Sequence, residues 1–262
     1  MTDAANNSTE NLAEGSLLSH LVELRSRLLK VAASVLIVFI PLVPFAQRIF
    51  EFAADPLRAV LPGGQLIATS PVSPIFTPFK LTLYVALFIA MPVVLYQTWA
   101  FIAPGLYMKE KRFAFPLLAT SIVLFYAGVA FAYFVVFPLV FGFVVAIASD
   151  SFAVMTDITA YLDFFMALVL AFGLAFEVPV ATVLIVWTGL VTTEKLARAR
   201  PYVFLTAFIA GMFLTPPDVI SQTLLAVPVY LLYELGIVMS RIFGRRSERS
   251  EAVATDNPQK RP

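Results

Sequence analysis

The chain has 262 residues, of which 60% are apolar and 13% charged, with a formal net charge of +1, no cysteine and one histidine. This balance is far from that of a soluble domain and marks an integral membrane protein. It excludes disulfides and thiolate metal sites, gives no electrostatic footprint for nucleic acid, and offers no P-loop, since none of the glycines precedes a lysine.

Residues 1–15 are polar and read as a disordered tail, as does the stretch 244–262; between them, 16–243 forms one membrane domain. Several apolar runs reach the roughly 20 residues that an α-helix needs to cross about 30 Å of hydrocarbon, so the fold class is all-α and polytopic. Six spans are predicted, at about 29–47, 81–103, 114–141, 161–189, 201–215 and 219–240, separated by segments rich in Pro, Gly, Asp and charge. Glu23, Arg25, Arg27 and Lys30 crowd the start of the first span, which speaks against a cleavable signal. With both termini and the even-numbered connections in the cytoplasm, the outside keeps only Arg48, Arg58 and Lys80 of the 18 basic residues. The positive-inside rule therefore predicts both ends inside.

Before the first span, Leu17, Leu21, Leu24 and Leu28 share one helical face, while His20, Glu23 and Arg27 lie on another. Glu23 is spaced to pair with Arg27 at i, i+4, and Glu110 lies in the charged loop KEKR; both carboxylates are open to a solvated or a recognition role. In the fourth run, Glu177 is about 14 residues past Asp163 and 15 before Thr192, which places it roughly 20 Å from either end, near the bilayer midplane. A charge there costs about 2.5–3.5 kcal/mol on insertion scales, and such groups usually line cavities or partner sites. Pro179 and Gly173 predict a kink beside this carboxyl. The fifth run, Pro201 to Leu214, is about 21 Å of helix and too short to span comfortably, so it should thin the bilayer or dock against a neighbour. It ends in the rigid turn Thr215-Pro216-Pro217-Asp218, and Gln222 opens the next helix; Thr215 and Gln222 read equally as hairpin polar groups or as interhelical glue.

His20, the sole histidine, sits before the first span, which argues against an intramembrane Ser–His hydrolase. A proton-coupled secondary transporter using Glu177 is the main alternative, but it should show paired broken helices in related halves, and no such repeat is visible.

These segments resemble TatC, the multispanning subunit of the twin-arginine protein translocase. The likeness runs from about Leu18 to Ile242 and is carried by SHLVELRSRL at 19–28, FTPFKL at 76–81, YQTWAFIAPGLY at 96–107, FYAGVAFAYFVVFPLVFGF at 125–143, AFEVP at 175–179, RPYV at 200–203 and GMFLTPPDVISQTLLAVPVY at 211–230. The resemblance implies a concave, glove-like six-helix bundle in the cytoplasmic (inner) membrane. It implies no enzymatic activity and no cofactor, but a receptor and scaffold for exporting folded proteins, driven by the proton gradient. It assigns the twin-arginine signal peptide to Glu23 and Glu110, with Arg25 and Phe101 beside them. Glu177 becomes an intramembrane polar site facing the concavity, and Met212, Thr215 and Gln222 become the docking site for single-span TatA-like and TatB-like subunits. Pro56 and Asp218 match outer-loop positions that matter in the family. Further TatC copies in a hetero-oligomer and membrane lipid complete the implied partners.

Overall fold

A computed structural model describes the backbone of residues 2–60, 66–102, 111–147, 156–214 and 219–255, and the side chains of 21–55, 67–102, 115–143, 157–214 and 219–242. In chain order the elements are α1 (Thr2–Leu42), a 3-10 turn (Val43–Phe45), α2 (Ala46–Val60), β1 (Leu66–Ile67), α3 (Ser73–Ile102) and α4 (Lys111–Phe131). A π-helical segment (Ala132–Val136) then leads into α5 (Phe137–Ile147), followed by β2 (Thr156–Asp157), α6 (Ile158–Ala175), α7 (Val178–Trp187), α8 (Thr193–Arg198), α9 (Arg200–Leu214) and α10 (Val219–Thr255). Among the described residues, the architecture is helical apart from β1 and β2, which pair in parallel over two residues each.

Among the described residues, five stretches are long and apolar enough to cross a membrane: Leu21–Asp55, Ser73–Ile102, Phe115–Phe143, Ile158–Trp187 and Val219–Ile242. The remaining apolar helix, Arg200–Leu214, has 15 residues and is short, as the sequence leads one to expect. The second stretch begins eight residues before the predicted start at 81. Pro78 lies inside this extension, where proline is tolerated in the opening turns of a helix, and Thr82 Oγ1 donates to the Pro78 carbonyl at 2.7 Å. The fourth stretch is broken where Pro179 predicts a kink: α6 stops at Ala175, Phe176 and Glu177 form a turn, and α7 starts at Val178.

The chain divides into two compact units. One comprises residues 1–49 and 78–118, the other 50–77 and 119–262. In the first, α1 and α3 are joined by Arg27, whose Nη1 donates to Gln97 Oε1 at 3.2 Å. Small residues on α3, Ala86 and Ala90, are buried with Leu81, Met91 and Leu95.

In the second unit, Tyr161, Phe137 and Phe165 form a buried aromatic group, with Phe137 5.5 Å from each of the other two ring centroids. The Tyr161 hydroxyl donates to the Ala53 carbonyl at 2.9 Å, so α2 and α6 are tied by a buried polar bond. Glycines let the helices approach closely. A Cβ on Gly128 would lie 2.5 Å from the Phe172 carbonyl oxygen, and one on Gly173 would lie 2.6 Å from Phe125 Cε2. Thus α4 and α6 meet twice, each offering a glycine to the other's phenylalanine. On α10, Gly236 sits against Thr182 Oγ1 and 3.0 Å (as a Cβ) from Pro179 Cα, which seats α10 on α7. After α7, Gly189 takes φ 73°, a left-handed conformation that closes the helix at little steric cost.

Outside the spans, Asp157 caps α6. Its Oδ1 accepts from the Thr159 and Ala160 amides, each at 2.9 Å, and its Oδ2 accepts from Thr69 N at 3.0 Å and Thr69 Oγ1 at 2.6 Å. Thr159 in turn donates to Ser73 Oγ at 2.9 Å. The bonds to Thr69, with those to the Ala160 and Thr159 amides, hold the Asp157 carboxyl down at about 2.

Candidate functional site

Helical spacing places Glu23 one turn before Arg27 on α1, and the expected pair forms. Arg27 Nε and Nη2 donate to Glu23 Oε1 at 2.9 and 2.6 Å. Both bonds fall on one carboxylate oxygen, and the guanidinium is shared with Gln97 of α3. The Glu23 side chain is 42% exposed, so the carboxylate is oriented yet open to an incoming cation. Arg25 is exposed, and Phe101 is half-buried near the end of α3. Glu110 lies outside the described residues.

Glu177 occupies the turn between α6 and α7 and is 7% exposed. Its amide donates to the Leu174 carbonyl at 3.0 Å, and its own carbonyl accepts from Ala181 at 2.9 Å, so the backbone is satisfied through the break. The side chain reaches across to α4, where Ser121 Oγ donates to Oε2; Oε1 is buried without a hydrogen-bond partner among the described residues. Phe131, Phe172 and Phe176 stand beside the break, with Phe131 5.7 and 5.6 Å from the other two rings. This wall of apolar surface makes each hydrogen bond to the carboxyl count for more than it would in water.

At the far end of the short helix, Met212 is 59% exposed on α9. Gln222 Nε2 donates to the Phe208 carbonyl at 2.6 Å, and Gly211 admits it closely, since a Cβ there would lie 3.1 Å from Gln222 Cγ. Gln222 thus fastens its own hairpin. Thr215 and Asp218 lie outside the described residues. Pro56 falls within the described helix α2, but its side chain does not.

Two polar groups escaped the sequence reading. Ser121 is one. The other is Glu234, which takes a two-point bond from Arg200, Nε to Oε1 at 2.6 Å and Nη2 to Oε2 at 2.8 Å, and accepts from the Tyr230 hydroxyl at 3.0 Å. Next to it the Tyr233 hydroxyl donates to the Leu196 carbonyl at 2.7 Å, so α8, α9 and α10 are joined at one level. The signal for Glu234 was available: a carboxylate inside the last apolar run needs a partner, and Arg200 opens the preceding helix. Among the described residues, no group of three His, Cys, Asp or Glu side chains could hold a metal ion.

The sequence pattern of the family described as "Sec-independent protein translocase protein (TatC)" matches residues 19–228. The chain belongs to the TatC family. Among relatives of that name, it is 57% identical over 244 residues to the protein of Azotobacter chroococcum, which spans 92% of this chain and 94% of the relative. It is 53% identical over 237 residues to that of Escherichia coli K12, covering 90% and 92%. A solved structure titled "Crystal Structure of Twin Arginine Translocase Receptor- TatC" superposes with a TM-score of 0.77 at 40% identity, covering 85% of this chain and 98% of that one. This TatC-family chain is therefore a multi-pass membrane protein and a protein translocase component.

Proposed function

We propose that this TatC-family protein is the receptor for twin-arginine signal peptides and the scaffold of a translocase that exports folded proteins across the cytoplasmic membrane, driven by the proton gradient. The observation that carries the reading is the Glu23 carboxylate, oriented by Arg27 through one oxygen and left accessible beside the family's matching segments. An incoming guanidinium fork can engage such a carboxylate at two points, which an ammonium cannot copy. Arg27 and its basic neighbours repel generic cationic segments and favour a well-placed arginine pair. Glu110, Arg25 and Phe101 complete the binding region in this proposal.

The membrane domain is 16–243, with six spans and both termini cytoplasmic, the short Arg200–Leu214 helix being the fifth. The exposed Met212, with Thr215 and Gln222, is the place for single-span TatA-like and TatB-like helices, because a short span leaves groups that need a neighbour. Glu177 is the intramembrane polar site, and Pro56 and Asp218 serve at the outer face. Other copies of the protein join these subunits in a hetero-oligomer.

Glu23→Ala and Glu110→Ala should each lower peptide binding and export of a folded reporter while membrane insertion and accumulation stay normal. Loss of a partly exposed pair such as Glu23–Arg27 costs a fold little, about 1 kcal/mol or less, so a binding defect at Glu23 is separable from a folding defect. Normal export by both variants would return these carboxylates to the status of ordinary solvated charges.

A further inference from the structure

The two halves of the fourth span are fastened to different neighbours. Before the break, α6 is keyed to α4 by the Gly128–Phe172 and Phe125–Gly173 approaches; after it, α7 is keyed to α10 where Gly236 meets Pro179 and Thr182. Only the turn residues Phe176 and Glu177 separate the two blocks along the chain. The bond from Ser121 to Glu177 crosses that break, running from α4 in one block to the first residue before α7 in the other. Both groups are buried, and Glu177 Oε1 is left without a partner among the described residues. A hydroxyl that takes one oxygen fixes the plane of the carboxyl and so decides where the other oxygen points.

We propose that Ser121 is the positioning residue for Glu177: its hydroxyl bridges the break in the fourth span and fixes the carboxyl so that Oε1 is presented as the acceptor used during export. The inference rests on the reading that Glu177 serves export. Ser34 in the first span shows the contrast, since its hydroxyl donates to the carbonyl of Val31 in its own helix and positions nothing elsewhere.

The test uses the assembled complex, with three readouts: accumulation, binding of a twin-arginine peptide, and export rate of a folded reporter. Ser121→Ala should lower export about fivefold or more, the consequence of losing one buried hydrogen bond, with accumulation and peptide binding within about twofold of the wild type. Ser121→Thr, which keeps the hydroxyl, should restore export to within about twofold. In a Glu177→Leu background, Ser121→Ala should add no further loss, because the group it acts through is gone. Export at the wild-type rate by Ser121→Ala while Glu177→Leu is impaired would overturn the inference alone. So would a full multiplicative loss in the Glu177→Leu background, or a loss of accumulation in Ser121→Ala that Ser121→Thr does not repair. Normal export by Glu177→Leu would instead remove the reading of Glu177, and the inference with it.

Discussion

The stretches Leu21–Asp55 and Ile158–Trp187 are equally apolar, yet none of the first one's most apolar segment is buried, against half of the second one's. Leu36, Ile37 and Ile40 of the first are exposed, whereas Leu162, Leu168 and Phe172 of the second are fully enclosed. Apolarity therefore decides that a helix crosses the membrane, and something else decides what it packs against. In hydrocarbon, one leucine gains little from leaving lipid for another, so close approach and polar bonds must choose the neighbours. The fourth span has both, through Gly173 and Gly128 on one side, Gly236 on the other, and Glu177 with Ser121 between them. The first span has one hydroxyl in its apolar part, that of Ser34, and it bonds locally.

The contrast predicts unequal sensitivity to single atoms, and the largest effect should come from Gly128→Ala. The added methyl would meet the Phe172 carbonyl oxygen at 2.5 Å, and a backbone atom cannot swing aside as a side chain can. Overpacking of this kind costs about 1–3 kcal/mol or more. Ile37→Ala in the first span, a larger chemical change at an exposed position, should stay within about 0.5 kcal/mol. Unfolding midpoints in detergent compare the two, and equal shifts would break the distinction between the spans.

A smaller effect, read in export rather than stability, separates the substitutions of Glu177. Glu177→Gln keeps an acceptor for Ser121 and a second polar atom of similar size, whereas Glu177→Leu removes the acceptor at about 1–3 kcal/mol. Gln should therefore export better than Leu at matched expression. If Gln is as inactive as Leu, export needs the second oxygen of the carboxyl or its proton, and the one acceptor that Gln keeps for Ser121 is not enough.

Much of this was legible in the residues, because it is local. The i, i+4 spacing announces Glu23–Arg27, Pro179 announces the break after Ala175, and the run from Pro201 to Leu214 announces a short helix, which begins one residue earlier, at Arg200. What stayed hidden depends on sequence-distant neighbours. Ser121 and Ser34 look alike in their apolar runs, and only the packing of α4 on α6 shows that one reaches across 56 positions to Glu177. Glu234 and Arg200 are 34 positions apart, and which faces of α9 and α10 meet is set by Gly211 and Gln222, too sparse a pattern to read in advance. Glu110, the second carboxylate of the proposed receptor site, lies outside the described residues.

The smallest effect concerns the clasp between Thr69 and Asp157. A carboxyl held at about 2, below its ordinary 3.8, contributes stability that is fully present above pH 3.8 and fades as the pH falls toward 2. Protection of the Thr69, Thr159 and Ala160 amides against hydrogen exchange should accordingly be constant from neutral pH down to about 4 and decline below it. A decline already near pH 6 would show that another group governs the clasp.

The receptor reading is tested most directly by the affinity of the purified complex for a peptide carrying consecutive arginines and for the same peptide with Lys-Lys in their place. Two-point pairing of guanidinium with carboxylate predicts tighter binding of the arginine peptide by about 1.5–3 kcal/mol, with Glu23→Ala erasing most of the difference. Equal affinity for the two peptides would contradict it.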